Sequence, residues 1–273
     1  MNYDDFEFLK ISKPSDGVLL IKINNPETLN SLDLRGHREL SEIWRVVGKD
    51  QDTRVAVITG EGRAFSAGGD LGLIEDMTEN FEAAMNQYFD AGSIVHELLA
   101  LDKPVISAIN GVAVGAGLAV ALLADISVIG QDVKITDGHL RFGVTAGDHA
   151  VLAWPLLCGM AKAKFYLLTG DFIDGREAER IGLVSKCVEN GDVLPVALEI
   201  AEKLAKGSAL AQRFTKRALN DWFRQALPAF EHSMALEILT FLGPDAKSGL
   251  KALKEKTAPE FDPNPPNGTN IQF

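Results

Sequence analysis

Val105 to Asp125 reads VISAINGVAVGAGLAVALLAD. A Val- and Ile-rich strand, Val105 to Ile109, runs into Asn110-Gly111. A Gly-Ala-Gly stretch then opens an apolar helix from about Ala116 to Ala124. The first N–H groups of that helix lack intrahelical partners and carry partial positive charge. A carbonyl oxygen placed there gains a donor that strengthens as negative charge develops on it. The same residues also fit a buried helix whose glycines allow close packing. Upstream, Ile58 to Leu71 reads ITGEGRAFSAGGDL. A strand ends at Thr59, and the small residues from Ser66 to Gly69 let a ligand approach the backbone. A tight strand-to-helix turn explains them equally well.

Further strands are expected at Val18 to Ile23, Val55 to Thr59 and Ile126 to Ile129. Helical spacing is present from Leu32 to Val47, with Leu40, Ile43, Trp44 and Val47 apolar, and a second helix is expected from Phe81 to Leu101. This alternation predicts an α/β architecture. Neither GxGxxG after a strand nor GxxxxGK[ST] occurs. From about Leu194, β-branched runs give way to four expected helices: Val196 to Lys206, Ala209 to Arg224, Pro228 to Leu242 and Asp245 to Lys256. The boundary divides a core over 1–194 from a helical region over 195–273. The end, PEFDPNPPNGTNIQF, reads as extended or frayed.

The composition, 46% hydrophobic and 24% charged over 273 residues, is that of an ordinary globular chain. A net charge of −11 disfavours nucleic acid, whose phosphates need clustered Lys and Arg. Two cysteines, Cys158 and Cys187, make neither a disulfide framework nor a four-cysteine zinc site. No metal-ligand spacing appears among these and the five histidines. MNYDDFEFLKI has no apolar signal core, and no apolar run reaches the roughly 20 residues of a membrane span. A soluble cytoplasmic protein is the expectation.

Together the two quoted segments are far more specific than either alone. ITGEGRAFSAGGDL followed by KPVISAINGVAVGAGLAVALLADISV resembles the crotonase (enoyl-CoA hydratase/isomerase) superfamily. NNPETLNSL, LLTGDFIDGREAERIGLVSKCV and FLGPDAKSGLKALKEKTAPEF extend the likeness over nearly the whole chain. The resemblance implies a spiral of repeated ββα units with a C-terminal helical region, assembled as a homotrimer or homohexamer. It implies an acyl-CoA substrate and no tightly bound cofactor. It assigns two oxyanion-binding backbone N–H groups to Gly69 and Ala116, within a ligand-binding stretch Ala67, Gly68, Gly69, Asp70 and Leu71.

The chain departs from the hydratase pattern at both glutamates that share the work of adding water. One position holds Ala119, and a methyl group cannot transfer protons. The other falls in KITDGHLRFGVTAGDHAVLAWP, where the register gives His139, or Asp137 if it slips. His139 is a natural general base. Asp148, past a Gly-Val-Thr-Ala-Gly turn, is placed to orient the imidazole. Such a pair resembles the superfamily's β-diketone hydrolases, such as 6-oxocamphor hydrolase, which need no coenzyme A. The alternative makes Asp148 a helix cap. His149 is a further candidate for the pocket. His37, His96 and His232 read as surface or packing residues, and Asp70 as a local backbone partner. Basic residues common among relatives are replaced by Glu27 and Gly72. Lys247 and Lys251, with Lys254 and Lys256, remain as candidates for the nucleotide phosphate or as a solvated helical face. Three functions therefore stay open: an acyl-CoA enzyme working through a held enolate, a cofactor-free C–C hydrolase, and a silent acyl-CoA binding protein.

Overall fold

In the computed structural model, which describes residues 2–263, the chain opens with two antiparallel strands, β1 (Leu9–Ser15) and β2 (Val18–Ile23). Helix α1 (Leu34–Lys49) follows, starting two residues later than its apolar spacing suggests. Asp33 sets that start by accepting a hydrogen bond from the Gly36 N–H. Leu32 instead makes an isolated bridge to Gly69.

Three ββα units come next. They are β3 (Val55–Gly60), β4 (Ala64–Ser66) and α2 (Leu71–Glu79), the last followed by α3 (Phe81–Ala100); then β5 (Val105–Ile109), β6 (Val112–Val114) and α4 (Gly115–Leu123); then β7 (Ile126–Gly130), β8 (Lys134–Thr136) and α5 (His139–Phe142). Helices α6 (Ala150–Cys158) and α7 (Met160–Thr169) lead to β9 (Ile173–Asp174), α8 (Gly175–Arg180) and β10 (Lys186–Val188). The end of the described chain is helical: α9 (Val193–Ala205), α10 (Ala209–Gln225), α11 (Leu227–Phe241) and α12 (Pro244–Glu255). The Pro- and Asn-rich segment read as extended lies mostly outside the described residues.

Within each unit the first strand joins a six-stranded sheet, β1-β2-β3-β5-β7-β10, and the second joins a four-stranded sheet, β4-β6-β8-β9. Strands β3, β5 and β7 pair in parallel, as do β4, β6 and β8. Each repeat thus advances one place along both sheets, which is the expected spiral. Both faces of the larger sheet are buried, so its strands read as continuous apolar runs. Val18, Leu20, Val55, Val57 and Ile106 pack under Ala197, Ala201 and Ala205 of α9. Leu19, Ile21 and Ile58 on the opposite face join the main core with Ile43, Trp44, Ile94 and Leu98 of α1 and α3. Among the described residues no helix is long and apolar enough to cross a membrane.

Two glycines bring the quoted segments together. A Cβ on Gly117 would lie 2.3 Å from the Ser66 Cβ, so only glycine lets α4 press this closely on β4. Gly68 has φ of 88°, a left-handed conformation that turns the chain between β4 and α2.

Candidate active site

The N-terminus of α4 and the turn after β4 face the same cavity, of about 190 Å³. Ala67, Gly68 and Gly69 line one side, with Val114, Gly115 and Ala116 beside them. Ala116 is the second residue of α4, where the N–H has no carbonyl one turn back within the helix. The two expected oxyanion donors, Gly69 and Ala116, thus share one cavity. Asp70 caps α2, its Oδ1 accepting from the Gly72 N–H at 2.8 Å. Leu71 opens α2 and is 40% exposed. Neither Asp70 nor Leu71 is among the lining residues.

The polar wall comes from three places. His139 starts α5, Asp148 precedes α6, and Glu237 reaches in from α11. His139 Nε2 lies 3.9 Å from Asp148 Oδ2 and 3.5 Å from Glu237 Oε1. The expected His139–Asp148 pair is therefore in ion-pair range, without the direct hydrogen bond of an oriented dyad. Asp137 is nearer, its Oδ2 3.1 Å from His139 Nδ1, though poorly aligned for a hydrogen bond. Asp148 Oδ1 is bonded to His149 Nδ1 at 2.5 Å. Asp148 does not cap α6, whose N-cap is His149 without a side-chain bond. His149 is wholly buried and is not among the lining residues, so it supports Asp148 from behind.

Charge follows from this crowding. Burial alone would make His139 less basic, but Asp137, Asp148 and Glu237 around it push its pKa well above 6.5. Burial would raise the Asp148 carboxyl, but His149 and His139 hold it at about 2. Burial pushes Glu237 up to about 6, against the pull of His139. The crowding thus favours a charged imidazole at His139 and sets Glu237 as the carboxylate of the cluster held closest to neutrality.

Glu237 was not legible in the sequence. It lies 98 positions beyond His139 by residue number, in a helix of unremarkable amphipathic composition. Its one local signal is a carboxylate on the face carrying Met234, Ile238 and Phe241, all buried. His37, expected as a surface or packing residue, is packed at 2% exposure, and the wall it packs in is that of the cavity. Its Nδ1 lies 3.0 Å from the Asp33 carbonyl, which can only accept, so Nδ1 carries the hydrogen and Nε2 is the acceptor. Burial pushes its pKa below 6.5, keeping it neutral. His96 and His232 are exposed as expected, His96 bonding Glu231 at 2.8 Å.

Ala119 is buried within α4 and offers no proton. Lys247 and Lys251 on α12 line a separate groove with Glu75 and Glu79, while Leu253 of the same helix reaches the main cavity. Lys254 is paired with Glu75 at 2.6 Å. Local spacing gave no metal site, yet the fold gathers two overlapping sets of potential ligands: His139, Asp148 and Glu237, and Asp137, Asp148 and His149.

The profile of the enoyl-CoA hydratase/isomerase family matches residues 13–264. An (E)-benzylidenesuccinyl-CoA hydratase of Thauera aromatica is 35% identical over 90% of this chain and 96% of its own. A crotonyl-CoA hydratase of Syntrophomonas wolfei is 31% identical over 92% and 96%. The crystal structure of an enoyl-CoA hydratase/isomerase from Mycobacterium paratuberculosis superposes with a TM-score of 0.86 at 31% identity, covering 90% of this chain and 99% of that one. With the spiral of ββα units and the shared cavity of the two glycine-rich segments, the matched profile places this chain in the enoyl-CoA hydratase/isomerase family, as a crotonase-superfamily enzyme.

Proposed function

We propose that the enzyme adds water to, or shifts, the double bond of an acyl-CoA thioester through an enolate bound by the Gly69 and Ala116 N–H groups. The observation that carries this reading is the cavity in which both backbone positions face His139, Asp148 and Glu237. Ionised Glu237 takes a proton from water as the oxygen bonds to Cβ. The displaced electron pair moves onto the thioester oxygen, which the two N–H groups stabilise. Protonated His139 then supplies the hydrogen to Cα. His37 Nε2 is an acceptor for a donor group on the substrate. Coenzyme A enters and leaves as part of the substrate, with Lys247 and Lys251 as candidate phosphate partners.

Two experiments test this. Free coenzyme A or acetyl-CoA at 100 times its dissociation constant should stabilise the fold by about 2.7 kcal/mol. No shift in melting temperature at millimolar ligand would sink the acyl-CoA reading. Ala116→Pro removes one N–H where proline is tolerated. It should fold and lose about 10²–10³ in turnover. Normal turnover would exclude Ala116 as a donor.

A second reading is favoured by Ala119 and His139 at the two positions where the hydratase pattern has glutamates, and by the cluster of His139 with Asp148 and Glu237. It is C–C hydrolysis of a β-diketone without coenzyme A, and an absent coenzyme A shift would move the assignment there.

We also propose a homotrimer or homohexamer assembled largely through residues 195–273. Phe214, Leu219 and Trp222 of α10 are each at least 60% exposed, an apolar face that self-association would cover. Light scattering should give three or six times the chain mass, and a stable monomer at micromolar concentration would refute it.

A further inference from the structure

We infer that His139 Nε2, one carboxylate oxygen of Asp148 and one of Glu237 form a binding site for a divalent transition-metal ion, zinc above all, whose occupation shuts the enzyme off. The three ligand atoms lie within 4.8 Å of one another. Two of the separations are 3.9 and 3.5 Å. Tetrahedral zinc with bonds of about 2.0–2.2 Å needs ligand atoms about 3.3–3.6 Å apart, so the His139–Glu237 separation already fits and His139–Asp148 must close slightly. All three residues line the cavity, which leaves the fourth position to water or substrate. The overlapping set that includes His149 lacks this access, since His149 is not a lining residue.

The surroundings supply what metal ligands require behind them. His139 has Asp137 Oδ2 3.1 Å from its other ring nitrogen, which a small rotation of the ring would turn into a hydrogen bond. Asp148 has its second oxygen bonded to His149 at 2.5 Å. Such outer partners fix the orientation of a ligand, and the His149 hydrogen bond keeps Asp148 in its ionised, ligating form. Independently, Asp137 Oδ1 and Glu237 Oε2 have no hydrogen-bond partner among the described residues, on side chains 3% and 6% exposed. A buried polar atom without a partner is costly, and a divalent cation at this point would give these carboxylates one. One imidazole with two carboxylates suits zinc, cobalt or iron, whereas magnesium and calcium prefer a larger all-oxygen shell.

A metal on Nε2 displaces the proton that His139 would deliver, and one on Glu237 blocks proton removal from water. That inhibition rests on the proton roles proposed above, whereas the binding itself does not. The test is calorimetric titration of the whole protein with zinc, together with the visible absorption of its cobalt complex. One equivalent should bind, and cobalt should show the intense bands of a tetrahedral site. His139→Ala and Glu237→Gln should each weaken binding at least about tenfold, and Asp137→Asn by about 10–100-fold. Glu237→Gln is nearly isosteric, so it remains a fair test if the alanine variant does not fold. His96→Ala, which removes the exposed His96–Glu231 pair, should change nothing.

No binding at millimolar metal would overturn the site, whatever the activity of Glu237→Gln. So would binding that survives both His139→Ala and Glu237→Gln, or that disappears in His96→Ala. Zinc that binds as described but leaves turnover unchanged would keep the site and overturn its inhibitory role, and with it the proton roles of His139 and Glu237.

Discussion

Glu237→Gln is expected to fold normally and to lose about 10²–10⁴ in turnover, the usual contribution of a positioned acid or base. Glutamine keeps the shape of the side chain on α11, so packing against Met234, Ile238 and Phe241 is retained. What it loses is the ability to take a proton from water. The pH profile separates this from a steric effect. Glu237 titrates at about 6 because burial disfavours its charged form. A base must be ionised, so kcat/KM of the parent enzyme should rise with pH through about 6. Residual activity of the glutamine variant should lack that limb. A variant with near-parental kcat/KM and the same acid limb would remove Glu237 from the reaction.

The fold was legible where the chain punctuates itself strongly. Val55 to Thr59, Val105 to Ile109 and Ile126 to Ile129 are buried on both faces, so their apolar runs stand out, and all three are strands of the larger sheet. Strands β4, β6, β8 and β9 are two or three residues long, too short for alternation to show. The C-terminal helices were visible from composition, their ends shifted by up to three residues.

The candidate site was half legible, for a related reason. Gly69 and Ala116, the proposed donors, lie at chain punctuation, which glycine-rich segments advertise. His139 and Asp148 share one loop region and were visible as a pair. Glu237 and His37 enter the cavity from helices distant in sequence, and no local pattern distinguishes a helical carboxylate facing inward from one facing solvent. The partners of His139 show the same limit. Spacing favoured Asp148, but Asp137, two residues away, approaches its ring more closely.

His139→Ala should cost about 10²–10⁴ in turnover by removing the proton donor to Cα. Asp148→Asn tests how the surroundings set that donor's charge. His139 is held protonated well above its ordinary range by carboxylates that include Asp148. A group needed in its protonated form gives a rate that falls as pH rises through its pKa. The parent profile should therefore be bell-shaped, with its alkaline limb well above 6.5, since that limb belongs to His139. Taking away the Asp148 charge weakens the hold on the proton, so the alkaline limb should move to lower pH. The same change should lower the acid limb, because Asp148 is one of the charges that raise Glu237. Both limbs are thus expected to shift downward in Asp148→Asn, with activity retained in part, because Asp137 still faces the ring. If His139 acted as the base instead, activity would rise with pH through its elevated pKa, and no alkaline limb would belong to it. An Asp148→Asn profile that coincides with the parent's would show that Asp148 does not set the proton affinity of His139. The 2.5 Å bond to His149 would then be the main role of the Asp148 carboxylate.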